Sequence, residues 1–457
     1  MKQKLALLVL YYLRFFAKLQ LSKNQNMHII GITGSAGKSS TRNALYSVLQ
    51  SKYLVKASFK ANSESGIPLD ILGLEMRTYS IFDWLRVLFL APLKVCTYWP
   101  KWDYYLVEMG IDSPHPPKNM DFLLSIIKPE TGILLNAGLN HGFAFDHLVK
   151  EKDPQIRQEK IIQEIAKEKG KLILSLPKNG LAVLNFDDPN VKALAPKTQA
   201  LVYSFGEQSV CDCQLLSHQA ILENQQVKTQ FIFQVQDPQT EKKQKLEIEI
   251  KDFLLAKHYG HGLAVSILLG LKASLSLMEI KTALEKKLTL PSGRASAIQG
   301  KNHSTIIDSS YNASSMKDLI EMAGQIKNPQ GRRLALLGDL RELGEQSASV
   351  HQEIAHLANK YFDQVFLVGQ EMKRHGLPIL QKKLGKKVTH FNNSLEAGDA
   401  IASLLKQNDL ILVKGSQNNI FLEEAVKIMM ADQSKSRQLL CRQSTWWLNL
   451  KRQALTK

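Results

Sequence analysis

The stretch "GITGSAGKSSTRNAL", residues 31–45, constrains this chain more than any other. Glycines at 31, 34 and 37 are followed at once by Lys38, Ser39 and Ser40. The apolar "MHII" before it reads as a strand, and "STRNALYSVLQ" after it reads as a helix. Glycines let backbone N–H groups approach an anion closely, and a helix N-terminus adds positive potential. The strict G-x-x-x-x-G-K-[ST] pattern fails, because Ile32 stands five positions before Gly37. The physics survives the mismatch. Gly34, Ser35, Ala36, Gly37, Lys38, Ser39 and Ser40 form a candidate phosphate cradle. Lys38 reaches the outer phosphates, and the Ser39 hydroxyl is a candidate Mg²⁺ ligand.

A strand–turn–helix at the start predicts an α/β protein, and the rest of the chain follows suit. "WDYYLVEMG" reads as a buried strand ending in Glu108. "TGILLNAGLNH" is a strand leading to a polar loop with His141. "IRQEKIIQEIAKEKGKLILSL" has helical period, and "GLAVLNFDDP" is a strand and a turn. This alternation predicts a mainly parallel sheet with functional residues at the carboxyl ends of its strands. Near residue 210 the texture changes. "QFIFQVQ" and "QKLEIEI" alternate apolar and polar around "DPQTEKK", which predicts an antiparallel, hairpin-like insert. "LPSGRAS", residues 290–296, marks a boundary. Beyond it, "STIIDSS", "RLALLGDL", "QVFLVG" and "DLILVKGS" alternate with helical segments and predict a second α/β domain. A chain of 457 residues, 44% hydrophobic, has room for two or three such domains.

Charge and cysteines narrow the function classes. The formal net charge of +17 favours anionic partners. No Lys/Arg block or RNA-binding signature accompanies it, so nucleic acid is not expected as a partner. Cys96, Cys211, Cys213 and Cys441 give neither a disulfide framework nor a zinc knuckle, and fit thiols of a reducing cytosol. The leader "MKQKLALLVLYYLRFFAKLQLSKNQN" carries an apolar run, Leu5 to Leu13, too short to span a bilayer. On a helix at ~100° per residue, Lys4, Tyr11, Arg14 and Lys18 share an arc of roughly 80°. Two readings stay open: a helix lying in a membrane interface, or a helix packed on the protein's own body.

Several motifs in one order resemble a known family. "GITGSAGKSS", "VEMG", "NAGLNH", "AKEKGK", "VLNFDDP", "GR" at 293–294, "IIDSSYNAS", "LLGDLRELGE" and "LVKGS" are similar to the Mur ligases. These are the ATP-dependent amino-acid and peptide ligases of peptidoglycan synthesis. The resemblance covers essentially residues 27 to 430, and "VEMG", "DSSYNA" and "GDLRELGE" are most similar to the branch that adds D-alanyl-D-alanine. It implies a P-loop ATPase domain over 27–295, after an N-terminal helix at 1–26, and a smaller Rossmann-like α/β domain over 296–457. It implies Lys38, Glu108, His141 and Lys169 as catalytic residues. Ser39, Glu108, His141 and Lys169 would hold metal, two Mg²⁺ ions in all. Lys169 would do so as a carbamylated lysine, an anionic oxygen ligand that suits a hard ion. Its helix neighbour Lys167 competes for that role.

In the second half, the resemblance places His258, Arg294, Asp308, Tyr311 and Asn312 at ATP. It places Lys414, Gly415 and Ser416 at the peptide substrates. Asp339, Glu342 and Glu345 are open between substrate binding and helix capping. His351 is open between a site residue and a surface helix residue. Three departures matter. Only about thirty residues precede the loop, so that branch's uridine-binding domain is expected to be absent. Tyr259 and Gly262 stand where asparagines are expected. "SYNASSM" is shorter than the branch's pattern, and Gln417 replaces an arginine.

The implied reaction passes the ATP γ-phosphate to a substrate carboxylate; an amine then attacks the acyl phosphate. The implied substrates are a muramoyl-tripeptide acceptor and D-alanyl-D-alanine. The implied enzyme is a cytoplasmic monomer with possible peripheral contact with an anionic inner membrane. Alternatives are a ligase amidating lipid-linked muropeptide, a folylpolyglutamate synthase-like ligase, and a non-catalytic nucleotide-binding scaffold.

Overall fold

Thirty residues into the chain, the apolar run that leads to the glycines forms β1 (His28–Thr33), with every residue but the first buried. In the computed structural model, which describes residues 2–59, 61–78, 80–139, 142–236, 242–312, 315–327, 329–341, 343–416 and 419–455, the chain divides into two compact units. Unit 1 comprises residues 1–216, 232–246 and 258–289; unit 2 comprises 217–231, 247–257 and 290–457.

Unit 1 is built on parallel strands. β2 (Val55–Ala57), β3 (Tyr104–Glu108), β4 (Thr131–Leu134), β5 (Leu181–Asn185) and β6 (Leu201–Gly206) join β1 in the order β2-β3-β1-β4-β5-β6. Every residue of β4 and β5 is buried, as expected for a parallel sheet covered on both faces. The order then runs through three long strands: β7 (Cys213–Glu223), β8 (Gln226–Gln236) and β9 (Lys243–Lys251). β7 and β8 form a hairpin, whose turn residues Asn224 and Gln225 take φ of 50° and 63°. The insert read from the sequence thus has a third strand, β7, that the alternation of "QFIFQVQ" and "QKLEIEI" did not announce.

Helices cover the sheet of unit 1: α1 (Lys2–Leu21), α2 (Lys38–Leu49), α3 (Gly66–Ile71), α4 (Ile81–Thr97), α5 (Met120–Ile126) and α6 (Pro154–Leu174). α6 starts cleanly because the Asp153 carboxylate accepts from the N–H groups of Gln155 and Ile156 and Pro154 opens the first turn.

α1 packs on the protein's own body. Leu13 and Ala17 are fully buried, and Leu10 and Gln20 nearly so. Of the cationic stripe read from the leader, Lys18 is exposed and Arg14 is not. The Arg14 guanidinium turns inward, donating to Ser125 Oγ at 3.0 Å and lying 4.6 Å from the Tyr11 ring centre. Phe16 packs against the core with Leu69 and Val87 rather than facing outward. The Lys4 side chain lies outside the described residues. No helix is long and apolar enough to cross a membrane among the described residues.

Unit 2 carries its own sheet: β10 (Ser296–Gln299), β11 (Thr305–Ser309), β12 (Arg333–Gly338), β13 (Gln364–Val368), β14 (Val388–Phe391) and β15 (Leu410–Lys414), in the order β10-β11-β15-β12-β13-β14. β10 runs antiparallel to β11, and the remaining pairs are parallel. Alternate strand residues feed two cores. Ile307, Leu337 and Leu412 enter one, and Ile306, Leu336 and Val413 the other.

Candidate active site

The loop after β1 bends through Gly34 and Gly37, with φ of +152° and +85°. Any side chain is strained there. At Gly34 a Cβ would also meet Leu135 Cβ at 3.0 Å. The neighbouring β4 loop holds this turn in shape. Asn136 Oδ1 accepts from Ala36 N–H at 2.9 Å, its amide donates to Ala36 O, and the Gly138 N–H donates to Ser35 Oγ at 2.8 Å. Asn136 lies inside the quoted "NAGLNH", but its grip on the loop was not anticipated.

At the end of the loop, Lys38 folds back and donates to Gly34 O at 2.6 Å, and Ser40 Oγ donates to Gly37 O. Burial pulls the Lys38 pKa down, against the attraction of Glu108 and Asp112. One turn of helix sets the metal candidates together. Ser39 Oγ donates to Glu108 Oε2 at 3.1 Å, and Glu108, at the end of β3, is only 3% exposed. The other carboxylate oxygen, Oε1, is gripped by Arg42, which is itself buried and also donates to Ser58 O at 2.9 Å. Arg42 sits three residues after Ser39 on one helix face; that spacing was the available signal.

α6 turns its two candidate lysines to different surroundings. Lys167 points outward and pairs with Glu164 at 3.6 Å. Lys169 is 3% exposed. Burial, reinforced by the positive charge of Lys38, lowers its pKa to about 7, while Asp112 and Glu168 pull the other way. Lys38, Glu108, Lys169 and Asp112 therefore share one electrostatic neighbourhood. Asp112 follows the quoted "VEMG" and was not singled out.

His141 lies outside the described residues. Among the described residues, no group of three or more His, Cys, Asp or Glu side chains is preformed for a metal ion. The donor set here is instead a hydroxyl, a carboxylate and a buried lysine.

His258 precedes the helix Tyr259–Lys272, its ring centre 4.8 Å from that of Tyr259. Gly262 has a steric reason to replace a larger residue: a Cβ there would meet Thr41 Oγ1 at 3.0 Å and Thr41 Cα at 3.1 Å.

Unit 2 gathers a second cluster. Asp308, at the end of β11, is fully buried; its Oδ1 accepts from Ser310 N–H at 3.0 Å, and its Oδ2 has no partner. Burial, opposed by its hydrogen bonds to Ser310, raises its pKa to about 6. Lys414, 1% exposed, donates to Asn312 O at 2.6 Å. Burial brings its pKa down to about 7, with Asp308 opposing. The Arg294 guanidinium lies 4.8 Å from the Tyr311 ring centre, and its Nε is buried without a partner. Two orphaned polar atoms, one an anion and one a cationic donor, mark this cluster as built to receive polar ligand atoms.

Arg442 completes the cluster from beyond the resembling stretch, donating to Ser310 O, Tyr311 O and the buried Glu423 carboxylate. Ser416 Oγ accepts from Arg341 N–H at 3.3 Å. Asp339 takes a capping role, though not on the next helix in the chain: its Oδ1 accepts at 2.7 Å from the N–H of Met372, in the first turn of the helix that starts at residue 370. His351 is buried, contrary to the surface reading. It accepts from Leu340 N–H through Nε2 at 2.9 Å and lies with Nδ1 2.7 Å from Ser347 O, so it holds the loop. Glu342, Gln417 and the Glu345 side chain lie outside the described residues.

Against this geometry the comparisons are decisive. The Mur ligase middle domain matches residues 156–258, and the Mur ligase glutamate ligase domain matches residues 293–417. The chain belongs to the Mur ligase family. One relative of this Mur ligase is the UDP-N-acetylmuramoyl-tripeptide–D-alanyl-D-alanine ligase of Rickettsia prowazekii, 26% identical over 88% of this chain and 78% of its own length. Among solved structures, MurF ligase of Thermotoga maritima in complex with ADP superposes with a TM-score of 0.64 at 20% identity, over 94% of this chain and 84% of that one. MurF from Acinetobacter baumannii gives 0.68 at 18%, over 92% and 79%. At such identities the structures establish the fold: an α/β fold, in which Glu108, Asp308 and Lys414 stand at the ends of strands while Lys38, Ser39 and Lys169 stand on helices.

Proposed function

We propose that this Mur ligase joins D-alanyl-D-alanine to a muramoyl-tripeptide at the expense of ATP, through an acyl phosphate. The observation that carries the reading is the hydrogen bond between Ser39 and Glu108 beside Lys38. A hydroxyl and a carboxylate 3.1 Å apart, next to a cation and a Gly-rich turn, are what a magnesium-bound triphosphate requires. The backbone of residues 34–37 cradles the phosphates, and Lys38 leaves Gly34 O to follow the charge of the γ-phosphoryl group. Arg42 holds the Glu108 carboxylate in place.

Ser39, Glu108, carbamylated Lys169 and His141 are the proposed ligands of two Mg²⁺ ions, which supply charge neutralisation at the phosphates. Their donors are oxygens apart from the imidazole, and this fits a hard cation. A lysine amine with a pKa of about 7 is about half uncharged at neutral pH; the uncharged amine adds to CO₂ and loses one proton to solvent, and the carbamate so formed places a negative charge beside Lys38. In unit 2, Asp308, Tyr311, Asn312 and Arg294 are assigned to ATP, as is His258 in unit 1, and Lys414 and Ser416 to the peptide substrates. A buried Lys414 with a pKa of about 7 neutralises a carboxylate or hands on a proton near neutral pH. Domain boundaries at residues 26 and 295 and action as a monomer belong to the same proposal; peripheral contact with an anionic membrane is a separate one.

Phosphate release tests the reading. A ligase releases phosphate from ATP only when a muramoyl-tripeptide and D-alanyl-D-alanine are both present. A nucleotide-binding scaffold releases none, and a simple ATPase needs neither.

A further inference from the structure

α4 is firmly built yet turns the wrong face to water. Ser80 caps it by accepting from Asp83 N–H, and the Asp83 carboxylate in turn accepts from Arg77 N–H and Thr78 N–H. Asp83, Val87 and Ala91 form the buried face. The opposite face is apolar too: Ile81, Phe82, Leu85, Phe89 and Leu93 are all exposed, Phe82 to 83% and Phe89 to 70%. A surface helix of a water-soluble domain ordinarily carries polar residues there. α1 runs alongside in the same direction, with Tyr12 Oη donating to Leu88 O and Gln20 Nε2 to Tyr98 O. Its outward stripe is Leu8, Tyr12, Phe15 and Leu19. The exposed rings of Phe15, Phe82, Phe89 and Trp99 alone present on the order of 500 Å² of aromatic surface, as much as the largest apolar patch of a typical monomer.

The two helices end together at a cavity of about 530 Å³ beside Trp99. It is lined by Lys23, Lys56, Lys101 and Trp102, with one acid, Asp103, whose Oδ2 already accepts from Leu54 N–H. Lys56 is paired with Asp70. Lys23 lies 3.8 Å over the Trp99 ring, but its buried Nζ has no hydrogen-bond acceptor. Trp102 Nε1 is likewise a buried donor without an acceptor, and Gln20, 5% exposed, keeps Oε1 free. Two unsatisfied donors in a lysine-lined cavity call for an anionic oxygen. Lys18 next to Leu19 on α1 and Lys101 just beyond α4 are exposed, and Lys94 next to Leu93 on α4 is half-buried over the Tyr98 ring, in a protein of net charge +17.

We propose that α1 and α4 together dock on an anionic phospholipid surface, with the apolar stripes in the acyl boundary and a lipid phosphate received by Lys23 and Trp102. Exposed aliphatic and aromatic side chains, a terminal Trp and flanking lysines are the composition of an interfacial membrane helix. The unsatisfied donors favour a phosphate surface over a second protein, whose apolar face would leave them orphaned. The surface lies in unit 1 alone and does not depend on the ligase reading.

The test is flotation of the full chain with phosphatidylglycerol or phosphatidylcholine vesicles. The expected result is flotation with phosphatidylglycerol that weakens at high salt. Phe82→Ser with Phe89→Ser should cut partitioning roughly tenfold or more per ring. Lys23→Gln with Lys101→Gln should reduce binding to phosphatidylglycerol and leave any residual binding to phosphatidylcholine unchanged. All of these residues are remote from the ligase cluster in their contacts, so phosphate release with soluble substrates should persist in each variant. Wild-type protein that stays at the bottom with phosphatidylglycerol would overturn the proposal. So would a concentration-dependent dimer in sedimentation that Phe82→Ser and Phe89→Ser abolish, since a second copy would then own the surface.

Discussion

Arg42 and Ser39 approach Glu108 from one face of α2 and divide its carboxylate between them, Arg42 on Oε1 and Ser39 on Oε2. The carboxylate is therefore held in one position before any ligand arrives, which is the preorganisation a phosphate-handling site needs.

From this follows a stability prediction. Arg42→Ala leaves a buried anion without its cation and should destabilise unit 1 by about 3–5 kcal/mol. The double variant Arg42→Ala with Glu108→Ala should be milder than Arg42→Ala alone, because no orphaned charge remains. Urea unfolding curves of the three variants check this. An Arg42→Ala protein as stable as wild type would show that the pair is not buried.

Lys38→Ala should abolish ADP formation while the circular dichroism spectrum and melting temperature stay near wild type. The side chain makes one hydrogen bond, to Gly34 O, and contributes the loop's cation. Wild-type turnover in the folded variant would remove the phosphate assignment.

Lys169→Ala should be inactive and partly rescued by acetate or formate, whose oxygens replace those of the carbamate. In wild type at fixed dissolved CO₂, the active fraction should climb with pH through about 7, because only the uncharged amine reacts with CO₂. Full activity of Lys169→Ala, or no dependence on CO₂, would contradict the carbamate.

Lys169 and Lys414 also set the pH dependence of folding. Both have folded pKa values of about 7 against 10.5 for the free side chain. Above pH 7 the unfolded chain binds more protons at these two positions, so stability should rise with pH from about 7 towards 9. Beyond that the raised thiols of Cys211 and Cys441 act in the opposite sense. Chemical denaturation across this range in the absence of CO₂ reads the slope, which Lys169→Met with Lys414→Met should flatten.

Much of this was legible in the sequence, for a physical reason. Parallel strands buried on both faces, such as "TGILL" and "DLILVK", are continuous apolar runs that helices and turns punctuate. The phosphate loop announced itself because only glycine tolerates the φ of positions 34 and 37. Lys169 was visible only by its place among the motifs; its charge-rich helix gave no sign that one lysine in three positions points inward. α4 went unread because both of its faces are apolar, so no polar–apolar period marks it. Arg14 misled because a cation in an apolar run looks solvent-facing, whereas here Ser125 and two aromatic rings take it in. Arg42, Asp112 and Arg442 act through partners distant in sequence, which spacing alone does not reveal.

The central claim is that one chain couples ATP cleavage to peptide-bond formation, and product mass tests it most directly. Purified protein is incubated with ATP, Mg²⁺, bicarbonate, a muramoyl-tripeptide and D-alanyl-D-alanine, and the mixture is read by mass spectrometry. The account predicts a new species with the mass of acceptor plus dipeptide less one water, formed in step with ADP and absent when any one substrate is withheld or Lys38 is replaced by alanine. ATP consumption with no such species, in the presence of both substrates, would contradict it.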